Sequence, residues 1–410
     1  MTSLEQARAM DARDPLHSLC DKFILPAGVI YMDGNSLGPL LKATRDRMAQ
    51  AVEVEWGQGL VRSWNDAGWI GAPQRIGGKI ARLIGASPNE VVVADSTSVI
   101  LFKLLAAALR ARPGRQVILT ETGNFPTDLY VAQGMAASLP GVEVRAVASA
   151  DVAAAIDEDV AVVMLTHVHY KTAARHDMAA ITARAHAAGA LMLWDLSHTA
   201  GAVAVDLHTD DVDLSVGCGY KFLNGGPGAP AYAFVAKRLQ GVLQSPITGW
   251  MGHAAAFAFS DQFEPADGMA RWLTGTPPML SLLALEAGVD LHLTVDARAL
   301  AGKSRALWNL FVEPLEARCA DHGFELITTR DADRRGSHVS ITHPEGYRIM
   351  QALIARGVIG DFRAPDVLRF AITPLYLGFE DVWRAVEILA EVMEAEAWRA
   401  LPPLAAGRVT

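Results

Sequence analysis

Between about residue 91 and residue 235, the chain alternates short apolar runs with segments of helical periodicity. Runs such as Val91–Ala94, Val160–Thr166 and Ala231–Val235 have the length and β-branched composition of buried strands. Because strands that alternate with helices across short loops form βαβ units, this region predicts a largely parallel sheet with helices on both faces. Further strands are predicted at 116–120, 142–147, 190–194 and 212–216, and helices at 99–111, after 128 and at 177–188.

The pattern changes after about residue 280 and predicts a smaller α+β domain. We expect an N-terminal segment at 1–50 that joins this small domain, a large domain at 51–280 and the small C-terminal domain at 281–410. The predicted elements of the small domain are one long helical stretch at 280–321, strands near 324–328, 337–342, 358–362 and 367–372, and helices at 345–356 and 379–400.

Composition excludes several classes of protein. The formal net charge is −9 and no basic block occurs, which argues against nucleic acid and anionic membranes as partners. The cysteines Cys20, Cys218 and Cys319 form no CxxC pair and no zinc spacing, so they favour a reducing compartment. The N-terminal sequence lacks a signal-peptide core, and no run of 18 uncharged apolar residues occurs. We expect a cytoplasmic protein with no membrane span.

Polar and aromatic residues follow successive predicted strands, at the sheet edge where open parallel sheets bind ligands. Residues 95–98 open a helix, which suits either phosphate binding or a plain N-cap. Phe125 could stack on a planar ring or pack into the core. Asp195 ends a buried strand and needs a partner, which could be a protonated pyridine nitrogen, a helix N-terminus or an arginine.

Lys221 stands out because only eight of the 36 basic residues are lysines and this one lies in a glycine-rich segment, 217–228. The segment matches neither a Walker A motif nor GxGxxG. A partly desolvated lysine there suits Schiff-base chemistry, although a surface loop lysine is the plain alternative. Together, the phosphate donors, the aromatic ring, the aspartate and the lysine predict a site for pyridoxal 5′-phosphate (PLP).

Two other patterns carry weaker signals. His167 and His169 lie on one face of a strand, but no HExxH motif or third ligand accompanies them, so we predict no metal site. Arg369 lies in the apolar run 367–372. A buried arginine needs a carboxylate, which either the protein or a substrate could supply.

At this level of detail the chain resembles the kynureninase family of PLP-dependent enzymes. The resemblance implies an α/β fold of the PLP-dependent, aspartate-aminotransferase type, with a mostly parallel sheet flanked by helices in the large domain and a smaller α+β domain. The segments that carry it are YMDGNSLGPL (31–40), ADSTSVILFKLL (94–105), ETGNFPTDLY (121–130), LTHVHYKTA (165–173), LWDLSHTAGAV (193–203), GCGYKFLNGGPGAP (217–230), GWMGH (249–253), GTPP (275–278) and LRFAITPLY (368–376).

The resemblance also implies roles for individual residues. Lys221 forms an imine with the cofactor, Asp195 pairs with its pyridinium nitrogen, and Tyr220 is a candidate proton donor; these three form the expected catalytic set. The other implied cofactor contacts are Thr97, Ser98, Phe125, Asp128, Thr166, His198, Trp250 and Thr276, the last expected from the partner subunit. Arg369 is expected to bind the substrate carboxylate, and Asn35, Ser36 and Trp64 to line the side-chain pocket.

The implied reaction is hydrolysis of the Cβ–Cγ bond of L-kynurenine, or of its 3-hydroxy form, to anthranilate or 3-hydroxyanthranilate and L-alanine. This reaction belongs to tryptophan catabolism, the kynurenine pathway and NAD biosynthesis. The family also implies a homodimer with its active site at the subunit interface. A cysteine desulfurase or an aminotransferase would share the cofactor groups and is the alternative. Neither Cys218 nor Cys319 lies in the mobile loop that a desulfurase nucleophile needs.

Overall fold

The structure is a computed structural model that describes residues 2–403. Met1 and residues 404–410, which the predicted domains 1–50 and 281–410 include, lie outside the described residues. The helices, in chain order, are α1 Leu4–Asp11, α2 Lys42–Gln50, α3 Ser63–Asp66, α4 Ala72–Leu83, α5 Thr97–Arg110, α6 Pro126–Ser138, α7 Val152–Ala155, α8 Met178–Ala187, α9 Met279–Leu293, α10 Ala297–Arg318, α11 Gly346–Ala355 and α12 Phe379–Glu394. The strands are β1 Phe23–Ile24, β2 Ile30–Tyr31, β3 Leu40–Leu41, β4 Val91–Ala94, β5 Val117–Glu121, β6 Glu143–Val147, β7 Val160–Thr166, β8 Leu191–Asp195, β9 Leu214–Cys218, β10 Ala231–Val235, β11 Glu325–Leu326, β12 His338–Thr342, β13 Val358–Ile359, β14 Asp361–Arg363 and β15 Val367–Ala371.

The chain divides into two compact units. The large unit comprises Thr44–His169 and His176–Leu293, and the small unit comprises the chain before Thr44, Tyr170–Arg175 and the chain after Leu293. These limits differ from the predicted boundaries at 50 and 280. All of α9 belongs to the large unit because it packs against α4, where Glu286 accepts hydrogen bonds from Arg75 and Lys79.

A seven-stranded sheet in the order β4-β10-β9-β8-β7-β5-β6 forms the centre of the large unit. Strands β5 to β9 pair in parallel, whereas β10 runs antiparallel to both β9 and β4. The chain reaches β10 from β9 through the loop 219–230, which contains no helix. Parallel neighbours need a crossover, usually helical, so this short return favours the antiparallel pairing. The mostly parallel sheet predicted from the alternating pattern is therefore present.

Both faces of this sheet are covered by apolar side chains, as the continuous apolar strands require. One core contains Val93, Leu165 and Trp194 against α4 and α9, and the other contains Val92, Met164 and Leu193 against α5. Every residue of β4, β5, β7, β8, β9 and β10 is buried. The sheet is thus a rigid base for the groups at its edge.

The small unit contains a four-stranded antiparallel sheet in the order β11-β12-β15-β14 and a parallel pair of β2 and β13. The single strand predicted at 358–362 was wrong, because it is divided at Gly360 between β13 and β14. A Cβ at Gly360 would lie 2.6 Å from the Arg369 carbonyl oxygen, so this close approach needs glycine.

The single helical stretch predicted at 280–321 was also wrong. The structure has two helices there, α9 and α10, and the second begins after Asp296, whose side chain accepts a hydrogen bond from the Ala299 amide at 2.8 Å. An N-capping aspartate favours a new helix start over continuation of the preceding one. None of the helices in residues 2–403 has both the length and the apolar character that crossing a membrane requires.

Candidate active site

The carboxyl ends of the central strands meet at one edge of the large-unit sheet. In the strand register, Thr166 at the end of β7 pairs with Asp195 at the end of β8. Across the other strands, Cys218 at the end of β9 pairs with Ala231, which also pairs with Ala94 at the end of β4. The segments that begin at Asp95, Leu196 and Gly219 therefore leave the sheet along the same edge, as predicted for a ligand site.

Two carboxyl groups, Asp128 and Asp195, lie together at this edge and are both fully buried. Burial raises the pKa of Asp128 well above its usual value, and the charge of Asp195 raises it further. Burial also raises the pKa of Asp195. The Thr166 hydroxyl lies 3.1 Å from Asp128 Oδ2, and the Ser197 amide donates to Asp195 Oδ1 at 2.6 Å. These hydrogen bonds and the Lys221 charge lower the pKa of both groups, but burial outweighs them.

Lys221 lies in the loop after β9 and is only 8% exposed. Its Nζ is 5.4 Å from the centroid of the Phe125 ring and 5.8 Å from that of the Tyr220 ring. The backbone turns sharply at Asn224, whose φ is +56° and whose amide donates to the Lys221 carbonyl at 3.0 Å. The structure therefore brings the predicted lysine, the stacking ring and the tyrosine together.

The predicted phosphate donors Thr97 and Ser98 form the first turn of α5. Ser96 is the N-cap, and its hydroxyl accepts from the Val99 amide at 3.5 Å. The remaining first-turn amides have no partner within the helix, which makes this end of α5 suitable for an anion.

Other predicted residues of the large unit lie in different surroundings. His198 is buried and its ring packs edge-on against Phe222. Trp250 packs against Phe257 on an exposed segment, and Thr276 lies exposed in the loop before α9. Trp64 packs edge-on against Trp69. Among the described residues, these ring contacts do not join Trp250 or Trp64 to Lys221.

In the small unit, Arg369 is 1% exposed and binds a protein carboxylate, Asp361. Arg369 Nε donates to Asp361 Oδ1 at 2.7 Å, Nη2 donates to Oδ2, and Nη1 donates to the Tyr170 carbonyl at 2.5 Å. Ser36 Oγ and Arg363 Nη2 each lie 2.7 Å from Asp361 Oδ2. Although burial opposes it, the Arg369 guanidinium lowers the pKa of Asp361.

Asn35, also in the small unit, is fully buried, and its amide oxygen and nitrogen have no hydrogen-bond partner among the described residues. The structure thus brings Arg369 and Ser36 into one hydrogen-bonded cluster and places Asn35 next to Ser36 in the chain.

Sequence reasoning missed Asn124 and Asp361. The Asn124 side chain is buried, accepts from the Phe125 amide at 2.7 Å and lies 2.6 Å from the Thr166 hydroxyl, so it fixes both predicted residues. An asparagine beside glycine looks like an ordinary turn residue, which hid its role. Asp361 faces Arg369 directly across β14 and β15, a pairing that only the strand register shows.

The buried carboxyl groups at this sheet edge fit PLP. Asp128 Oδ1 is buried and has no hydrogen-bond donor among the described residues, and Asp195 lies beside it. A buried carboxyl pair of this kind favours a cationic or N–H donor next to it. A pyridinium N–H is such a donor, while Lys221 and Phe125 offer an amine and a stacking face.

The three cysteines do not offer a desulfurase nucleophile. Burial raises the pKa of Cys20 and of Cys319 to about 11 in each case, and it also raises the pKa of Cys218. Because the thiolate is the reactive form, none of these residues is activated for attack. This finding disfavours the alternative of a cysteine desulfurase.

Solved structures show the same fold. Cysteine desulfurase from Thermococcus onnurineus superposes with a TM-score of 0.78 at 17% identity and covers 92% of this chain and 98% of its own. A cysteine desulfurase from Escherichia coli gives a TM-score of 0.75 at 19% identity and covers 93% of this chain and 98% of its own. These likenesses confirm the predicted fold class.

Sequence relatives identify the family. The kynureninase of Pseudomonas fluorescens is 51% identical over 404 residues, which cover 97% of each chain. The kynureninase of Burkholderia mallei is 51% identical over 406 residues and 98% of each chain. Residues 300–389 also match the family model described as the kynureninase C-terminal domain. The resemblance read from the motifs is confirmed, and the chain belongs to the kynureninase family.

Proposed function

We propose that this chain is a PLP-dependent hydrolase that converts L-kynurenine and water to anthranilate and L-alanine. The observation that carries the proposal is the joint placement of Lys221, Phe125 and the Asp128–Asp195 pair at one sheet edge. The 51% identity to kynureninases over almost the whole chain supports the same activity.

Asp195 and Lys221 are proposed to have separate roles in the reaction. PLP, when bound, supplies an electron sink for the carbanion at the substrate Cα. With PLP bound, Asp195 would hold a proton on the pyridine nitrogen, and Lys221 Nζ would hold the cofactor and take up the Cα proton. Water adds to the γ-carbonyl, after which the Cβ–Cγ bond breaks and the acyl part leaves as anthranilate.

Tyr220 is the proposed donor of the proton that the β-carbon of alanine takes up. A phenol of ordinary pKa, about 10, carries its proton at neutral pH, and burial raises the pKa of Tyr220 further. The centroid of its ring lies 5.8 Å from Lys221 Nζ, the atom proposed to accept the Cα proton. Because the phenol carries its proton and lies beside that amine, it is the proposed donor, although its raised pKa makes it a weak acid.

Substrate recognition is proposed for Arg369, Asn35, Ser36 and Trp64. Arg369 is the proposed carboxylate-binding residue, and Asp361 and the Tyr170 carbonyl hold its guanidinium in one orientation. The two hydrogen-bonding groups of Asn35 that are without partners suit a polar substrate atom. His198, Trp250 and Thr276 are proposed to complete the cofactor site, Thr276 in a second subunit.

A homodimer is proposed for the active protein. Large apolar side chains are exposed at two segments of the large unit, with Leu60 and Val61 in one and Phe257 and Phe259, at 65% and 81% exposure, in the other. Exposed apolar patches of this kind are typical of protein–protein contacts. Light scattering on the purified protein tests the proposal, and a monomer at micromolar concentration would refute it.

The activity is tested by the fluorescence of anthranilate released from L-kynurenine by purified protein with added PLP. We expect release by the wild type, and loss of at least about 10⁴-fold in the Lys221→Ala variant, because both cofactor attachment and proton transfer are lost. Lys237→Ala, which removes an exposed lysine, should retain full activity. A yellow, cofactor-loaded protein that releases no anthranilate but releases sulfide from cysteine would contradict the kynureninase proposal.

A further inference from the structure

A second lysine of the large unit, Lys103, is fully buried within α5 and holds three acceptors. Its Nζ lies 2.5 Å from Asp95 Oδ2, 2.8 Å from the Trp272 carbonyl oxygen and 2.6 Å from Thr274 Oγ1. An ammonium group has three N–H donors, so all of them are used. Burying such a charge is costly unless it is paired, which makes a merely space-filling role a poor explanation.

On one side, Lys103 holds the turn that presents the first turn of α5. Asp95 connects β4 to the N-cap Ser96 and has a φ of +50°, a backbone region that is strained for a residue other than glycine. Its carbonyl accepts from the Ala231 amide at 2.9 Å, and its carboxylate is held by Lys103. This ion pair therefore stabilises the conformation in which Thr97 and Ser98 follow the strand.

On the other side, Lys103 holds the segment around Thr274. The Thr274 carbonyl accepts from the Met251 amide at 3.2 Å. A Cβ at Gly249 would lie 2.3 Å from the same carbonyl oxygen, so the two segments are in close backbone contact. These segments carry Trp250 and also Thr276, which is proposed to serve the site of a second subunit. One buried ammonium group thus connects the start of α5 with the segment that packs against Trp250, another proposed cofactor contact.

The pair also matters electrostatically. The Asp95 carboxylate is 28% exposed and lies next to a helix N-terminus suited to a phosphate dianion. A negative charge there would repel phosphate unless a cation neutralised it. Lys103 supplies that cation from inside the protein, where solvent screening is weak.

We propose that Lys103, through its contacts with Asp95 and the 272–274 segment, is a positioning residue that sets the affinity of this site for the phosphate group of its cofactor. The inference rests on the proposed PLP function. Lys103 should therefore affect binding of the phosphate monoester and not binding of the pyridine ring, because its three N–H groups are directed to Asp95, Trp272 and Thr274.

The test compares two ligands that differ only in phosphate. Full-length protein freed of cofactor is titrated with PLP and with pyridoxal, and binding is followed by absorbance. The quantity compared between the wild type and Lys103→Met is the dissociation constant of pyridoxal divided by that of PLP. We expect PLP binding to weaken at least tenfold in Lys103→Met while pyridoxal binding changes less than threefold. Lys237→Met, which removes an exposed lysine, is the matched control and should keep the wild-type ratio.

Equal weakening of PLP and pyridoxal binding would overturn the proposal, since Lys103 would then act on the fold as a whole. Unchanged binding of both ligands would overturn it as well. If Lys103→Met does not fold, the double variant Asp95→Asn/Lys103→Met decides, because it leaves no unpaired carboxylate. We expect the double variant to fold. Its ratio of dissociation constants, pyridoxal over PLP, should be at least fivefold below that of the wild type, because the connection to the 272–274 segment is still lost. A wild-type ratio would refute the proposal. Wild-type protein that binds PLP but releases no anthranilate would instead count against the proposed reaction.

Discussion

The large unit buries a pair of aspartates and the small unit buries Asp361, and the electrostatic surroundings of these carboxyl groups are opposite. In the large unit, Asp128 and Asp195 lie together without an arginine, and burial raises the pKa of both. In the small unit, Asp361 lies between Arg369 and Arg363, and Arg369 lowers its pKa against the effect of burial. The same residue type thus favours a shared proton in one place and a fixed negative charge in the other.

This difference indicates what each cluster is built to do. A carboxyl pair whose pKa values stay raised despite the nearby Lys221 charge gains most when a ligand brings a second cation, as a pyridinium nitrogen would. A carboxylate already paired with an arginine gains nothing from a cation, but it fixes the direction of the guanidinium. This difference agrees with the proposed roles, a cofactor site in the large unit and a carboxylate-binding arginine in the small unit.

The largest expected effect comes from removing the charge of a carboxyl group in the large-unit pair. Asp195→Asn should lower kcat about 10²–10⁴-fold, because an amide cannot keep a proton on the pyridine nitrogen. Asp128→Asn should cost less than about tenfold, since it removes the repelling partner and leaves Asp195 in place. Anthranilate fluorescence measures both rates. Equal losses in the two variants would mean that the aspartates act as one unit.

Tyr220→Phe should retain PLP and lower kcat about 10²-fold, because the proposed proton donor is lost. The control is Tyr232→Phe. Tyr232 is also buried, and its hydroxyl has no hydrogen-bond partner among the described residues, so its removal should leave kcat unchanged. PLP content is measured by absorbance alongside the rate. An unchanged rate in Tyr220→Phe would remove this residue from the proton path.

On the arginine side, Asp361→Asn should raise KM for L-kynurenine about 10–100-fold with a smaller change in kcat, because charged hydrogen bonds of about 1.5–3 kcal/mol orient Arg369. It should also lower the free energy of unfolding by about 3–5 kcal/mol, as loss of one partner of a buried ion pair does. Urea titration measures this, with exposed Glu325→Gln in β11 of the same sheet as the control. A lower free energy of unfolding with a wild-type KM would show that Asp361 has no role in substrate recognition.

The sequence predicted the cofactor side of this comparison better than the arginine side. Each strand of the large sheet was placed within about two residues, because apolar runs between turns are a local signal. Asp195 and Lys221 stood out because each follows such a run. Asp361 did not, since its role depends on the register of β14 against β15, which pairs it with Arg369 eight residues later. Asp128 was identified only through the family, since its burial beside Asp195 is a tertiary property.

The smallest expected effect concerns Asp33, which lies in the same small-unit cluster. Burial raises its pKa to about 7, and the Asp361 charge adds to the rise, whereas Arg369 and Arg363 oppose it. Above that pH Asp33 is ionised and weakens the positive field of Arg369. KM for L-kynurenine should therefore rise up to about fivefold between pH 6 and pH 8.5, the size of a modest charge interaction.

The same titration has a definite sign for stability. A carboxyl group whose folded pKa lies above the value of about 4 in the unfolded chain holds its proton more tightly in the folded state, so its contribution to stability falls as pH rises through about 7. Asp33→Asn should remove this part of the pH dependence of both KM and the urea midpoint, whereas exposed Asp21→Asn should leave both profiles unchanged. A wild-type pH profile in Asp33→Asn would show that the arginine cluster keeps a constant charge across neutral pH, which would sharpen its contrast with the proton-sharing pair of the large unit.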